Sequence, residues 1–289
     1  MVSVIIPSYN REDTIERSVR SVLAQTYSDL EVIVVDDCST DNTENVVRAI
    51  DDNRVRYHCL EKNSGACVAR NKGISLAKGD IIAFQDSDDE WRPNKLERQL
   101  AVMEKTNADV CFCKMKRYNP ENIAVSDFPN DLQEGFIPYK VLYSFSHVST
   151  QTIVAKREVC EKHKFDLKVK KGQDFDWVLR AGAEYKFYYV DEILVTQYGQ
   201  NESVSVSDGL NKSLAMHIYF VKKYRRQCIE QPDFHVALLN QVANIKVKMG
   251  KNATSEYRKI YQIKKTKRNL AKYVLSKLHL IGTYYRLFR

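Results

Sequence analysis

Apolar runs alternate with helix-period segments from the first residues onward. Val2 to Pro7 is an almost unbroken apolar run of strand length, and Ile15, Val19, Val22 and Leu23 share one face of a helix over residues 12–25. Leu30 to Val35 predicts a second strand ending in Asp36-Asp37, after which Ser39, Thr40 and Asp41 can cap a helix near 42–50. The alternation continues through a strand over Arg54–Leu60, a helix over Gly65–Ala77, a strand over Asp80–Phe84, a helix over Asn94–Lys105 and a strand over Ala108–Met115. Such spacing predicts an α/β architecture, a mostly parallel sheet with helices on both faces. Ligands of such sheets bind beyond the carboxyl ends of the strands. Ser8-Tyr9-Asn10, Asp36-Asp37 and Asp86 to Asp89 each follow a strand, so all three clusters are expected at one edge.

Residues 117–150 are less regular and read as a crossing segment that shapes a pocket. Gln151 to Ala155 predicts a strand, Gly172 opens a helix running to about Ala183, and Phe187–Val190 and Ile193–Gln197 predict two short strands. From about Asp208 the pattern is helical to the C-terminus.

With 289 residues there is room for one large domain plus an appendage. An apolar fraction of 44% and a charged fraction of 28% are those of a globular protein. The start of the chain lacks the basic region and cleavage site of a signal peptide. No apolar stretch approaches the roughly 18 residues that cross a bilayer. Seven cysteines without zinc-type spacing fit a reducing cytoplasm, with Cys111 and Cys113 expected in the core. The net charge of +8 is unevenly placed: residues 246–289 hold thirteen Lys or Arg and a single acid, Glu256. The body is therefore slightly acidic and the tail strongly basic.

Chemistry concentrates in Asp86-Ser87-Asp88-Asp89. In an extended chain residues i and i+2 face the same side, so Asp86 and Asp88 would point at one spot. Carboxylates forced together repel unless a cation or proton lies between them. Oxygen-only ligands suit Mg²⁺ or Mn²⁺, ions that keep positions open for substrate phosphates. Taken alone, the cluster also reads as a solvated acidic turn before the helix near Pro93.

Four anchors in order make the chain resemble the family 2 glycosyltransferases of the GT-A fold: Val4-Ile5-Ile6-Pro7-Ser8-Tyr9-Asn10, Val34-Val35-Asp36-Asp37-Cys38-Ser39-Thr40-Asp41, Gly65 to Ile74, and Asp86-Ser87-Asp88-Asp89. A fifth, Gly172-Gln173-Asp174, lies where that family places its catalytic acid residue. The resemblance covers about residues 1–205. It implies a nucleotide-binding half over 1–115, an acceptor-binding half over 116–205 and a helical extension over 206–289.

The resemblance also assigns roles. Pro7 and Tyr9 would floor and stack the nucleotide base beside Asn10, with simple packing the alternative for Tyr9. Asp37 would accept from a uracil ring N–H, while Asp36 would either share that role or cap the following helix. Arg70 would sit near the nucleotide or make a surface salt bridge, and Asn71 would fix local backbone. Asp88 would reach the divalent ion, Asp86 the ribose or metal-bound water, and Asp89 could share ligation. Asp174 would be the general base of an inverting transfer, or merely support the helix around Trp177. Where the family often has Glu before this Asp, the chain has Gln173. Trp177 is expected in the core rather than on a sugar, and His147 as a structural residue near the acceptor side.

In the tail, Leu270, Val274, Leu278, Ile281, Tyr285 and Phe288 recur at steps of three and four among basic residues. A basic amphipathic helix reads as a membrane-surface element, with docking on the catalytic domain or on a second subunit as the alternative. No recognised nucleic-acid module accompanies the charge, so no nucleic-acid partner is expected. The overall expectation is an inverting enzyme using a UDP-sugar, a divalent metal and a saccharide or lipid-linked acceptor, in the cytoplasm or at the inner membrane face. Rivals are a silent nucleotide-sugar-binding or scaffolding protein and a nucleotidyltransferase. The latter wants a Gly-rich basic loop where Pro7-Ser8-Tyr9-Asn10 stands. A dehydrogenase is disfavoured because no G-x-G-x-x-G follows the first strand.

Overall fold

The computed structural model describes residues 1–143, 148–199 and 206–282. The chain divides into two compact units, Met1–Asn201 and Glu202–Arg289.

The first unit is built on one sheet. Strands β1 (Val2–Ser8), β2 (Leu30–Asp36), β3 (Val55–Cys59) and β4 (Ile81–Phe84) pair in parallel in the order β3-β2-β1-β4. The sheet continues through β9 (Val154–Lys156), β6 (Val110–Tyr118), β10 (Phe187–Tyr198) and the two-residue β5 (Glu90–Trp91). There the pairing is mixed: β9 runs antiparallel to both β4 and β6, whereas β6 and β10 are parallel. Two short strands, β7 (Ala124–Phe128) and β8 (Gly135–Phe136), pair with β6 and β10.

The continuous apolar runs follow from burial on both faces. All seven residues of β1 and of β2 are buried. Val2, Val4 and Ile6 point into a core shared with α1 (Ile15–Leu23), α2 (Thr43–Arg48) and α4 (Lys95–Thr106). Ile5, Ile33 and Val35 face the opposite core, with α3 (Ala66–Leu76), α5 (Arg157–Lys162) and α6 (Gln173–Gly182). Gly73 lets α3 lie close on β1, because a β-carbon there would collide with Ile5. Trp177 is fully buried, stacked on Phe165 and edge-on to Phe84, a core residue as expected. Cys111 and Cys113 are likewise fully buried.

Four local departures from the periodicity have clear causes. The two expected strands after residue 186 are one strand with an irregularity between Val190 and Ile193. There the polar Asp191 turns to an ion pair with Lys114. Gln151 lies in a 3₁₀ turn over Thr150–Thr152 before β9 begins. The short elements α5 and β5 carry too few residues for a periodic signal.

The second unit is helical: α7 (Val206–Lys223), α8 (Arg225–Glu230), α9 (Pro232–Lys248), α10 (Thr254–Ile263) and α11 (Lys267–Lys277). Leu239, Ala243, Tyr257, Ile260 and Ile281 form a core cluster. On α11 the buried residues are Asn269, Lys272 and Ser276, while Leu270, Val274 and Leu278 are exposed. The inward face of this helix is thus mixed, with Tyr273 and Leu275 packed partly buried against the same core. Among the described residues no helix is long and apolar enough to cross a membrane. Tyr285, Phe288, Arg286, Arg289 and His147 lie outside the described residues.

Candidate active site

The loops after β1 and β2 are laced together by side chains. The Asp37 N–H donates to the Ser8 carbonyl at 2.8 Å, and the Asn10 N–H donates to Ser39 Oγ at 2.8 Å. Asn10 takes a positive φ of 50° and its Oδ1 accepts from the Thr40 N–H at 2.9 Å, as Asn tolerates in tight turns. Pro7 is buried beneath this loop, and the Tyr9 ring is 43% exposed, open for stacking.

The two aspartates ending β2 divide their work. Asp36 Oδ1 accepts from the Ser39 N–H at 2.9 Å and its hydroxyl at 2.6 Å, and Oδ2 accepts from the Tyr57 hydroxyl at 2.5 Å. Asp37, nearly fully buried, accepts from the Ser64 N–H on one oxygen and the Gly65 N–H on the other, both at 2.6 Å. It thereby staples the start of α3 to the end of β2. Asn71 on α3 exchanges two 2.8 Å hydrogen bonds with the backbone of Phe165, the expected backbone-fixing role.

Arg70 joins the aspartate cluster to the start of α6. Its Nη2 donates to Asp86 Oδ1 at 2.9 Å, and its Nη1 donates to Gln173 Oε1 at 2.9 Å. Arg70 is 7% exposed, so this bridge is well shielded from solvent and salt. It is not a surface salt bridge. Gln173 and Asp174 begin α6 directly after Gly172, whose φ of 70° turns the chain into the helix.

The aspartate cluster is a turn, not a continued strand. Strand β4 stops at Phe84, and the Asp89 N–H closes back on the Asp86 carbonyl at 3.3 Å. Strand alternation therefore does not set the directions of Asp86 and Asp88. Asp86 meets Arg70, while Asp88 Oδ2 lies 3.6 Å from Arg11 Nη2 and its carbonyl accepts from Arg17 at 2.6 Å. Burial pushes the Asp88 carboxyl above the usual range, and the nearby Asp86 adds to this against the pull of Arg11. Asp89 is 1% exposed; Oδ2 accepts from Gln151 Nε2 at 2.9 Å and Oδ1 from the Tyr198 N–H at 3.1 Å. Burial drives its carboxyl well up, with Asp86 and Asp88 contributing. Its bonds tie the turn to β10 and to the 3₁₀ turn, an anchoring arrangement. Among the described residues no three His, Cys, Asp or Glu side chains surround one point.

A cleft of about 280 Å³ is lined by Arg70, Asp86, Ser149–Gln151 and Lys170–Asp174. Asp86 and Asp174, 88 positions apart in sequence, thus face one space. Asp174 is in no ion pair among the described residues and accepts the Phe175 N–H at 2.8 Å. Burial raises its carboxyl above the ordinary range; the Phe175 N–H and Arg70 oppose this, and Asp86 reinforces it. Asp176, by contrast, is 1% exposed and paired with Arg180 at 3.0 Å. Sequence reasoning missed Arg11, Gln151 and the Lys170-Lys171 pair. Arg11 directly follows the first anchor, and Gln151 ends a hydroxyl-rich run, which are the signals that were available.

Residues 3–163 match the family described as "Glycosyl transferase family 2". The chain is 31% identical over 240 residues to the putative colanic acid biosynthesis glycosyl transferase WcaA of Escherichia coli K12, covering 78% of this chain and 81% of that protein. It is 44% identical over 123 residues to the Escherichia coli UDP-Glc:alpha-D-GlcNAc-diphosphoundecaprenol beta-1,3-glucosyltransferase WfgD, covering 43% of this chain and 49% of WfgD. Several other curated relatives are matched over less than half of their own length. The fold superposes on Staphylococcus aureus TarS 1-349 in complex with UDP at a TM-score of 0.63 and 21% identity, covering 100% of this chain and 93% of that one. Taken with the mixed sheet and its flanking helices, these matches place the chain in glycosyl transferase family 2, on a GT-A fold.

Proposed function

We propose that this chain transfers a sugar from a UDP-sugar to a hydroxyl of a saccharide or lipid-linked saccharide, with inversion at the anomeric carbon. The observation that carries the reading is the shared cleft: a half-buried Asp174 in no ion pair among the described residues faces the same space as the Arg70-held Asp86. A carboxylate at Asp174 takes the acceptor proton as the hydroxyl oxygen attacks. The new C–O bond forms, the bond to the β-phosphate oxygen breaks, and UDP leaves with the electron pair. General-base assistance of this kind is worth roughly 10²–10⁴ in rate. The exposed ring of Tyr9 and the buried Pro7 supply a stacking surface for the base. Asp37 supports the nucleotide side mainly by fixing the loop before α3.

Asp86 and Asp88 fit a hard divalent ion, Mn²⁺ or Mg²⁺. Asp86 raises the Asp88 carboxyl and the Arg11 contact at 3.6 Å is long, a crowding that a cation relieves. Asp88 would be the principal ligand and Asp86 a shared one. When bound, such an ion supplies positive charge to the diphosphate oxygens. Asp89 already uses one hydrogen bond on each oxygen and is better suited to anchoring the turn.

The relatives' names support a role in polysaccharide or glycolipid assembly. The exposed Leu270, Val274 and Leu278, set among Lys267, Arg268 and Lys277, support contact of residues 246–289 with anionic lipid. Co-sedimentation with anionic vesicles should fall when the three are changed to Ser. If dimerisation is lost instead, the face is a subunit interface.

Thermal-shift screening of a nucleotide-sugar panel with Mn²⁺, followed by turnover of the stabilising donor, tests the assignment. Stabilisation by a UDP-sugar and acceptor-dependent UDP release are expected. Binding without UDP release would replace an enzyme by a silent nucleotide-sugar-binding or scaffolding protein.

A further inference from the structure

We infer that Lys170 and Lys171 form an anion subsite on the acceptor side of the cleft, recognising a phosphate or diphosphate carried by the acceptor. This rests on the transfer reading above and names a chemical class for the acceptor. Both lysines line the cleft and are exposed, and among the described residues neither is in an ion pair or side-chain hydrogen bond. Arg70, the other cation of the lining, is already committed to Asp86 and Gln173.

The charge of this lip is not balanced locally. Gln173 is neutral, so the segment Lys170 to Asp174 holds two cations against one carboxylate. A pair of unpaired ammonium groups beside a cleft concentrates an anionic ligand there. The pair is also held in place. Val169, directly before it, is 3% exposed, and its carbonyl accepts from Cys67 Sγ at 3.9 Å. Phe165 is fixed by Asn71 through two 2.8 Å bonds. Lysines displayed from an anchored segment lose less freedom on binding than lysines of a free loop.

Position favours the acceptor over the donor. Lys171 precedes Asp174 by three residues, so the cations stand next to the group that meets the incoming hydroxyl. Of the residues assigned to the donor side only Asp86 and Arg70 line this cleft, whereas Tyr9, Asp37 and Asp88, on the loops after β1, β2 and β4, do not. The donor's diphosphate is a second source of the same chemistry, and the experiment separates the two.

Calorimetry on the full chain saturated with UDP and Mg²⁺ would titrate octyl diphosphate below its micelle concentration, with octyl glucoside as the uncharged control. Octyl diphosphate should bind without displacing UDP, octyl glucoside at least tenfold more weakly. K170E/K171E should weaken octyl diphosphate on the order of tenfold or more, about 1.4 kcal/mol, and leave UDP affinity within about twofold. K170Q/K171Q, which removes charge without reversing it, should lie between. Displacement by UDP, an equal loss of UDP affinity in the variants, or unchanged octyl diphosphate binding would overturn the subsite. No step needs turnover, so a chain that binds both ligands but transfers nothing would refute the enzymatic reading alone.

Discussion

Replacing Asp37 by Asn separates two roles that one carboxylate can play. Its oxygens accept from the Ser64 and Gly65 N–H groups at 2.6 Å each, in a site 4% exposed. An Asn carbonyl can keep one of these N–H groups, but its NH₂ then opposes the other, donor against donor. The change forfeits one charge-assisted bond, about 1.5–3 kcal/mol; Ser64 is half-buried and Gly65 exposed, so water can take up the freed N–H. It also removes a negative charge near the N-terminus of α3, worth about 0.5 kcal/mol. Destabilisation of about 2–3.5 kcal/mol is expected. Both tryptophans, Trp91 and Trp177, are buried in the first unit, so urea unfolding followed by their fluorescence reports on that unit. The midpoint should fall with little change in slope. UDP affinity should fall with it, because α3 carries Arg70. A loss below about 1 kcal/mol would refute the staple. Intact stability with lost UDP binding would return Asp37 to reading the base.

Three further outcomes are expected. Lys95 is fully buried with its ammonium 3.9 Å from the Trp91 ring centre, and burial pushes it from 10.5 down to about 8. At about 1.4 kcal/mol per pH unit this costs about 3 kcal/mol at neutral pH, partly offset by about 1–2 kcal/mol from the ring. The unfolded chain holds the extra proton between about pH 8 and 10.5, so wild-type stability rises across that window. Lys95→Met should therefore stabilise at pH 7 by about 1–2 kcal/mol, an advantage that changes sharply by pH 10; a pH-independent effect would contradict the buried charge. Because the Asp174 carboxyl is raised, kcat/KM should fall as pH drops through a value above the ordinary 3.8, and changing that residue should remove the limb. The raised carboxyl of Asp88 favours folding below the ordinary range and loses that contribution as pH rises through its folded value. Mn²⁺ should consequently stabilise wild type more at pH 7.5 than at pH 5, and Asp88→Asn should abolish the difference; equal gains in both proteins would remove Asp88 as a ligand.

The parallel half of the sheet was legible because runs such as Leu30 to Val35 are buried on both faces and leave no ambiguity of period. The anchors fixed which strand ends carry polar clusters. Direction beyond the strands was not legible. Asp86, Asp88 and Asp89 look equivalent in sequence, yet the turn aims them at Arg70, Arg11 and Gln151 respectively. Partners lying 16, 77 and 62 positions away leave no local signature. Asp37 shows the same limit, since its two amides lie 27 and 28 residues downstream. In the tail, periodicity identified the apolar stripe of α11 but could not tell that Asn269, Lys272 and Ser276 face inward instead.

The most direct test of the central claim is transfer by Asp174→Asn, measured alongside its affinity for UDP. The variant should bind UDP with Mn²⁺ as wild type does while turnover with the donor falls by roughly 10²–10⁴. Transfer within about threefold of wild type would contradict the assignment of Asp174 as the base, and with it the chemistry assigned to the cleft.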